Sequence, residues 1–162
     1  MMKIYTAKPS ARTAGLERII VPLGDRPWHG FAEETMWAKK VGDGLYQLQN
    51  TPFFAKGLAY LDVVSARSED GRLMLDGVKD ASRRSTYRVH VKAATPAASV
   101  QPLFDQLTAL GCTYESYVET LWTLFAWDVS ASAVDAAYKI LDAGEKQGVW
   151  TFEEGHYGGR EH

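Results

Sequence analysis

The strongest constraint on this chain is a change of hydrophobic period that recurs through its second half. Thr86-Tyr87-Arg88-Val89-His90-Val91-Lys92 alternates, with Tyr87, Val89 and Val91 on one side, as a half-buried strand requires. Val100, Leu103, Phe104, Leu107 and Leu110 then follow the i, i+3, i+4, i+7 spacing of an amphipathic helix, with Ser99 placed to cap its start and Gly111 to end it. Period two returns from Cys112 to Glu119, where Cys112, Tyr114, Ser116 and Val118 oppose Thr113, Glu115, Tyr117 and Glu119. Leu121 to Val129 is an apolar run suited to a central strand. A second helix opens at Ser130–Asp135, with Ser132 and Asp135 spaced as a capping box and Val134, Ala137, Tyr138 and Leu141 as the buried stripe. Gly148 precedes a last strand, Val149 to His156. The order βαββαβ predicts a ferredoxin-like sandwich of four antiparallel strands with two helices on one face.

The first half reads differently. Strand-like runs occur at Glu17–Leu23, Glu34–Val41, Leu45–Gln49, Asp62–Arg67 and Arg72–Val78. Gly42-Asp43-Gly44 and Glu69-Asp70-Gly71 are hairpin signals between two pairs of them. Five short strands joined by tight turns predict a small β-barrel-like part. The polar stretch Asp80–Ser85 is the expected boundary. The chain is therefore expected to be α+β, with a β-rich part over 1–82 and a ferredoxin-like part over 83–162, as separate domains or one compact unit.

Cysteine and histidine usage excludes several chemistries at the level of motif. Cys112 is the one cysteine, so no internal disulfide is available. His29, His90, His156 and His162 lie at no metal-ligand spacing from one another or from Cys112. Cys112 begins a strand on its buried side, where cysteine is an inert small hydrophobe. No Gly-x-Ser-x-Gly, Walker or dinucleotide glycine pattern occurs. The expectation is a protein that is not an enzyme and uses no cofactor and no metal. Without a signal-peptide core at Met1–Pro9 or an apolar run of ~18 residues, the expected compartment is the cytoplasm, with no membrane partner.

Charge is uneven. Residues 1–99 carry 15 Lys and Arg against 10 Asp and Glu, whereas residues 100–162 carry 3 against 10. An acidic second part disfavours nucleic acid and suits a cationic protein through complementary potential. The expected contacts are the carboxylates of Glu115, Glu119, Asp128, Glu153 and Glu154. Tyr117 and Trp122 would be anchors, since aromatic residues often dominate interface energy.

A distinctive pattern spans residues 33–64. It runs Glu33-Glu34-Thr35-Met36-Trp37-Ala38, then Asn50-Thr51-Pro52-Phe53-Phe54-Ala55-Lys56-Gly57, then Asp62-Val63-Val64, with Ser85-Thr86-Tyr87-Arg88 beyond. It resembles a bacterial family known only as a domain of unknown function. The resemblance extends through Gly111-Cys112, Phe125–Val129 and Trp150–Gly155, and it implies no activity and no catalytic residue. Physically, Asn50-Thr51-Pro52 reads as a turn that Phe53 and Phe54 anchor on the core.

In size, charge layout and lack of catalytic signature the chain is similar to immunity proteins of interbacterial toxin systems. That similarity implies an inhibitor that occludes a basic, nuclease-type toxin domain, as a monomer or small homo-oligomer. Two rival expectations are a ferredoxin-like regulatory or ligand-binding module with no toxin partner, and an enzyme using Asp62, His90 or Arg88.

Overall fold

The switches of hydrophobic period mark where the elements begin and end. The computed structural model describes residues 3–6, 15–24 and 29–160, so His162 lies outside the described residues. The chain is mixed α+β, built mostly of antiparallel strands with two helices. It divides into two compact units, Met1–Ser82 and Arg83–His162.

The first unit holds β1 (Lys3–Thr6), β2 (Glu17–Pro22), β3 (Phe31–Gly42), β4 (Leu45–Leu48), β5 (Val63–Glu69) and β6 (Arg72–Asp80). Its six-stranded sheet runs β1-β3-β2-β6-β5-β4. With 12 residues, β3 is long enough to serve two neighbours. It pairs with β2 along Glu33–Ala38 and with β4 along Ala38–Gly42, so the pairings β3-β2-β6-β5-β4 return to β3. Asp70 (φ 52°) and Gly71 (φ 77°) turn the β5–β6 hairpin, since both central residues of such a turn must take positive φ. Ile19, Val21, Met36, Ala38, Tyr46, Leu48, Ala55, Leu58 and Val64 form the core. The short parallel strand β1 was not among the sequence expectations.

The Asn50–Gly57 segment is held by buried polar side chains. Glu34 is fully buried, and its carboxylate accepts the backbone N–H groups of Phe53, Phe54 and Ala55 at 2.7, 3.0 and 2.9 Å. Asn50 Oδ1 accepts the Trp37 N–H at 2.8 Å. Asp62 accepts the Ala59 N–H through one oxygen and the Ser82 N–H through the other. These carboxylates and this amide supply acceptors for donors that a loop cannot pair within itself. Phe53 and Phe54 are buried, and Phe54 stacks on Phe31 at 4.6 Å.

The second unit holds β7 (Ser85–Lys92), α1 (Ala97–Ala109), β8 (Thr113–Val118), β9 (Trp122–Val129), α2 (Val134–Lys146) and β10 (Thr151–His156). Its four strands run β10-β7-β9-β8, and each neighbouring pair is antiparallel. Tyr87, Val89 and Val91 share a face with Trp127 and Val129, and these pack with Leu103, Phe104 and Leu107 of α1 and Val134, Ala137 and Leu141 of α2. Trp150 is buried and donates its Nε1–H to the Leu141 carbonyl at 2.9 Å. A Cβ on Gly144 would lie 2.3 Å from that indole, so the helix needs glycine there.

Two local expectations are corrected. Pro96 precedes α1 in place of Ser99, and Ala133 precedes α2 in place of Ser132; neither helix has a side-chain cap. Pro96, at φ −62° and ψ 137°, sets the helix entry itself and leaves Ser99 inside the first turn. Tyr138, expected in the buried stripe, is 48% exposed because it sits at the border of that stripe over Tyr87 and Phe152.

Candidate binding site

Strand register sorts the expected contact residues. Opposed residues of an antiparallel ladder share a face. Glu115 and Tyr117 on β8, Trp122 and Asp128 on β9, and Glu153 on β10 all project from the face opposite the helices. Glu119 lies in the turn after β8. Glu154 alone points to the helix side.

Sharing a face does not make these groups an acidic patch. Arg84 grips Asp128 through three hydrogen bonds, Nε to both carboxylate oxygens at 2.8 and 3.0 Å and Nη2 at 2.7 Å. The Asp128 side chain is only 3% exposed. Glu153 accepts from Arg88 at 3.1 Å. Tyr117 donates its hydroxyl to Glu119. That hydrogen bond pushes the Tyr117 pKa up to about 12, with burial adding to it. Glu115, Ala126, Arg88 and Glu153 form one row across the four strands, with a guanidinium between two carboxylates. Arg84 and Arg88 thus interleave with the acids, and Asp128 and Glu153 pair within the unit.

Glu154 belongs to a different constellation. A cleft of about 430 Å³ is lined by Tyr87, Val134, Asp135, Tyr138, Lys139, Glu154, Tyr157 and Arg160. Strand β7 supplies Tyr87, β10 supplies Glu154, and α2 supplies Val134, Asp135, Tyr138 and Lys139. Glu154 accepts the Tyr87 hydroxyl at 3.0 Å. Burial, then the Glu154 carboxylate, hold the Tyr87 phenol well above its ordinary pKa. Arg160 pairs with Asp135 at 3.8 Å, and its pKa is raised chiefly by a hydrogen bond with Tyr157, then by Asp135. Lys139 has no ion-pair partner among the described residues. The cleft therefore offers tyrosine faces, one carboxylate held by a phenol, and the ammonium of Lys139.

Sequence reasoning named only Glu154 for this place. The usable signal lay on α2, where Val134 and Tyr138 repeat at i, i+4 beside Asp135 and Lys139 at the same spacing. That pattern sets an apolar strip alongside a charged one.

The residues weighed for catalysis have structural partners. Asp62, in the first unit, holds two backbone amides. Arg88, in the second, holds Glu153, and His90 faces Trp122 at 5.2 Å. Among the described residues no three His, Cys, Asp or Glu side chains gather as metal ligands. No helix among them is long and apolar enough to cross a membrane. Cys112 is buried, and burial chiefly, with Asp128 adding and Arg84 opposing, pushes its pKa from 9.0 up to about 11. The folded thiol keeps its proton longer than the unfolded one. Its contribution to stability is therefore full below about pH 9 and fades as pH rises towards 11. At pH 8, Ellman's reagent should attack native Cys112 about 100-fold more slowly than the urea-unfolded chain, because the thiolate is the reactive form. Equal rates would show an accessible thiolate.

A family model described as a domain of unknown function (DUF4265) matches residues 34–152. A solved structure titled "Novel crystal structure of a hypothetical protein from Neisseria gonorrhoeae" is 20% identical, with a TM-score of 0.72, and the match covers 88% of this chain and 95% of that one. At such identity the likeness speaks for the fold alone. No curated protein matches.

Proposed function

We propose that this chain, which belongs to the DUF4265 family of domains of unknown function, is a binding protein that receives a protein partner at the tyrosine-lined cleft of its second unit. The supporting observation is the makeup of that cleft. Tyr138 and Tyr157 are 48% and 45% exposed there, beside Arg160. Tyrosine and arginine are enriched at the energetic centres of protein interfaces. Glu154, Asp135, Lys139 and Arg160 can orient a partner's polar groups around them. Inhibition of a toxin domain, as immunity proteins perform, is the form of binding we favour. Its partner would insert a cationic side chain towards Glu154 while aromatic contacts carry most of the affinity.

We read the two units in the same spirit. The return of pairings to β3 supports a barrel-like first unit. The antiparallel order β10-β7-β9-β8 with two helices supports a ferredoxin-like second unit.

The test is retention of purified toxin domains from interbacterial systems, basic nucleases first, on immobilised protein. Tyr138→Ala with Glu154→Lys should abolish retention of a bound domain. If no domain is retained, or the double variant binds as well as the parent, the reading fails. A second reading, a small-ligand module, is favoured by volume, since ligand pockets typically span about 300–1,000 Å³. It predicts saturable quenching of tyrosine fluorescence by a metabolite mixture, again lost in the double variant.

A further inference from the structure

We infer that this chain pairs with a second copy of itself through β8, forming an antiparallel β8–β8 ladder with Ser116 on the two-fold axis. Strand β8 ends the sheet order β10-β7-β9-β8, and no strand among the described residues pairs with its outer edge. The phase of its ladder is set by one bond. The Glu119 N–H donates to the Trp122 carbonyl at 2.8 Å, continuing the register that opposes Val118 to Thr123. In an antiparallel pair, backbone groups alternate between the two edges of a strand. Thr113, Glu115, Tyr117 and Glu119 therefore turn theirs to β9. Tyr114, Ser116 and Val118 turn theirs outward, in a row that a further strand can pair.

Monomeric sheets usually guard such an edge with lysine, proline, a bulge or inward charge. Thr113–Val118 has no lysine and no proline, its register with β9 is unbroken, and Glu115 is its single charge. Tyr114 and Val118 are 44% and 70% exposed.

A second copy fits this edge in one register. Outward residues must oppose outward residues, which leaves three choices near the strand centre. Centring on Glu115 would oppose two carboxylates, and centring on Tyr117 would leave Tyr114 without a strand residue opposite. Centring on Ser116 opposes Tyr114 to Val118, Ser116 to Ser116 and Glu115 to Tyr117. All three outward residues then exchange hydrogen bonds, the exposed apolar side chains cover each other, and no charge meets a like charge. The cleft lies at the β10 end of the sheet, so this interface and the proposed partner site are tested separately.

Sedimentation equilibrium from micromolar to millimolar protein should give a mass approaching twice 18.0 kDa. Ser116→Lys sets two ammonium groups across the axis, and Val118→Lys removes the apolar cover of Tyr114. Both positions are exposed, so thermal melting should be unchanged while dimerisation weakens by about tenfold or more. Single cysteines at 115, 116 and 117, oxidised by diamide (which takes up the two thiol protons and two electrons), report the register. Only Ser116→Cys should give a covalent dimer, since opposed Cα atoms in a hydrogen-bonded pair lie about 5.5 Å apart. A monomer at every concentration, a dimer that persists in both lysine variants, or cross-linking at 115 or 117 in place of 116 would overturn the inference.

Discussion

Glu34→Ala should destabilise the first unit by about 4 kcal/mol, because it strips the acceptors from three buried amides at once. Each orphaned donor costs about 1–3 kcal/mol, and the lost side chain leaves a void beside them. The N–H groups of Phe53, Phe54 and Ala55 have Glu34 oxygens at 2.7–3.0 Å, inside a fully buried site. Glu34→Gln keeps the shape and one carbonyl oxygen, so its loss should be about half as large. Urea unfolding followed by circular dichroism measures both. A shift under about 1 kcal/mol for Glu34→Ala would mean the loop finds other acceptors. The same geometry accounts for the pattern in residues 33–64: Glu34, Asn50 and Asp62 are spaced by the amides they satisfy.

The second large effect concerns Asp128. Asp128→Ala leaves Arg84 facing a nearly buried gap where it had three hydrogen bonds, at a cost of about 3 kcal/mol. The paired change Arg84→Met with Asp128→Leu should recover most of that loss, since a well-packed apolar pair removes the charge together with its partner. The double-mutant cycle gives the coupling directly. If Asp128→Ala melts like the parent, Asp128 does not brace β9 and its carboxylate is available to a partner after all.

Elements were more legible in the sequence than contacts. Alternation marks β7 and β8, since a strand in a two-faced sheet turns successive side chains to opposite sides, and Glu69-Asp70-Gly71 marks the β5–β6 hairpin through its turn chemistry. The four-residue β1 carries too few positions for a period to show. The caps misled because Pro96 and the turn before Val134 dictate the helix starts through backbone geometry, while the nearby serines only have suitable chemistry. The nominated carboxylates fall on the expected strands except Glu119, which lies just past the end of β8, yet their partners are invisible in the sequence. Arg84 is 44 residues from Asp128 and Arg88 is 65 from Glu153, and only cross-strand register brings them together. Local charge counts do not reveal that Asp128 and Glu153 pair with arginines of their own unit. The cleft escaped notice for a related reason. It is assembled from β7, α2, β10 and the residues after it, and only the α2 residues Val134, Asp135, Tyr138 and Lys139 announce it from a single element.

Binding at the cleft is tested by hydrogen exchange on the complex with a captured partner. Exchange should slow in Val134–Lys146 and in residues 151–160, the segments that frame the cleft. Slowed exchange elsewhere, with those two segments unchanged, would contradict it.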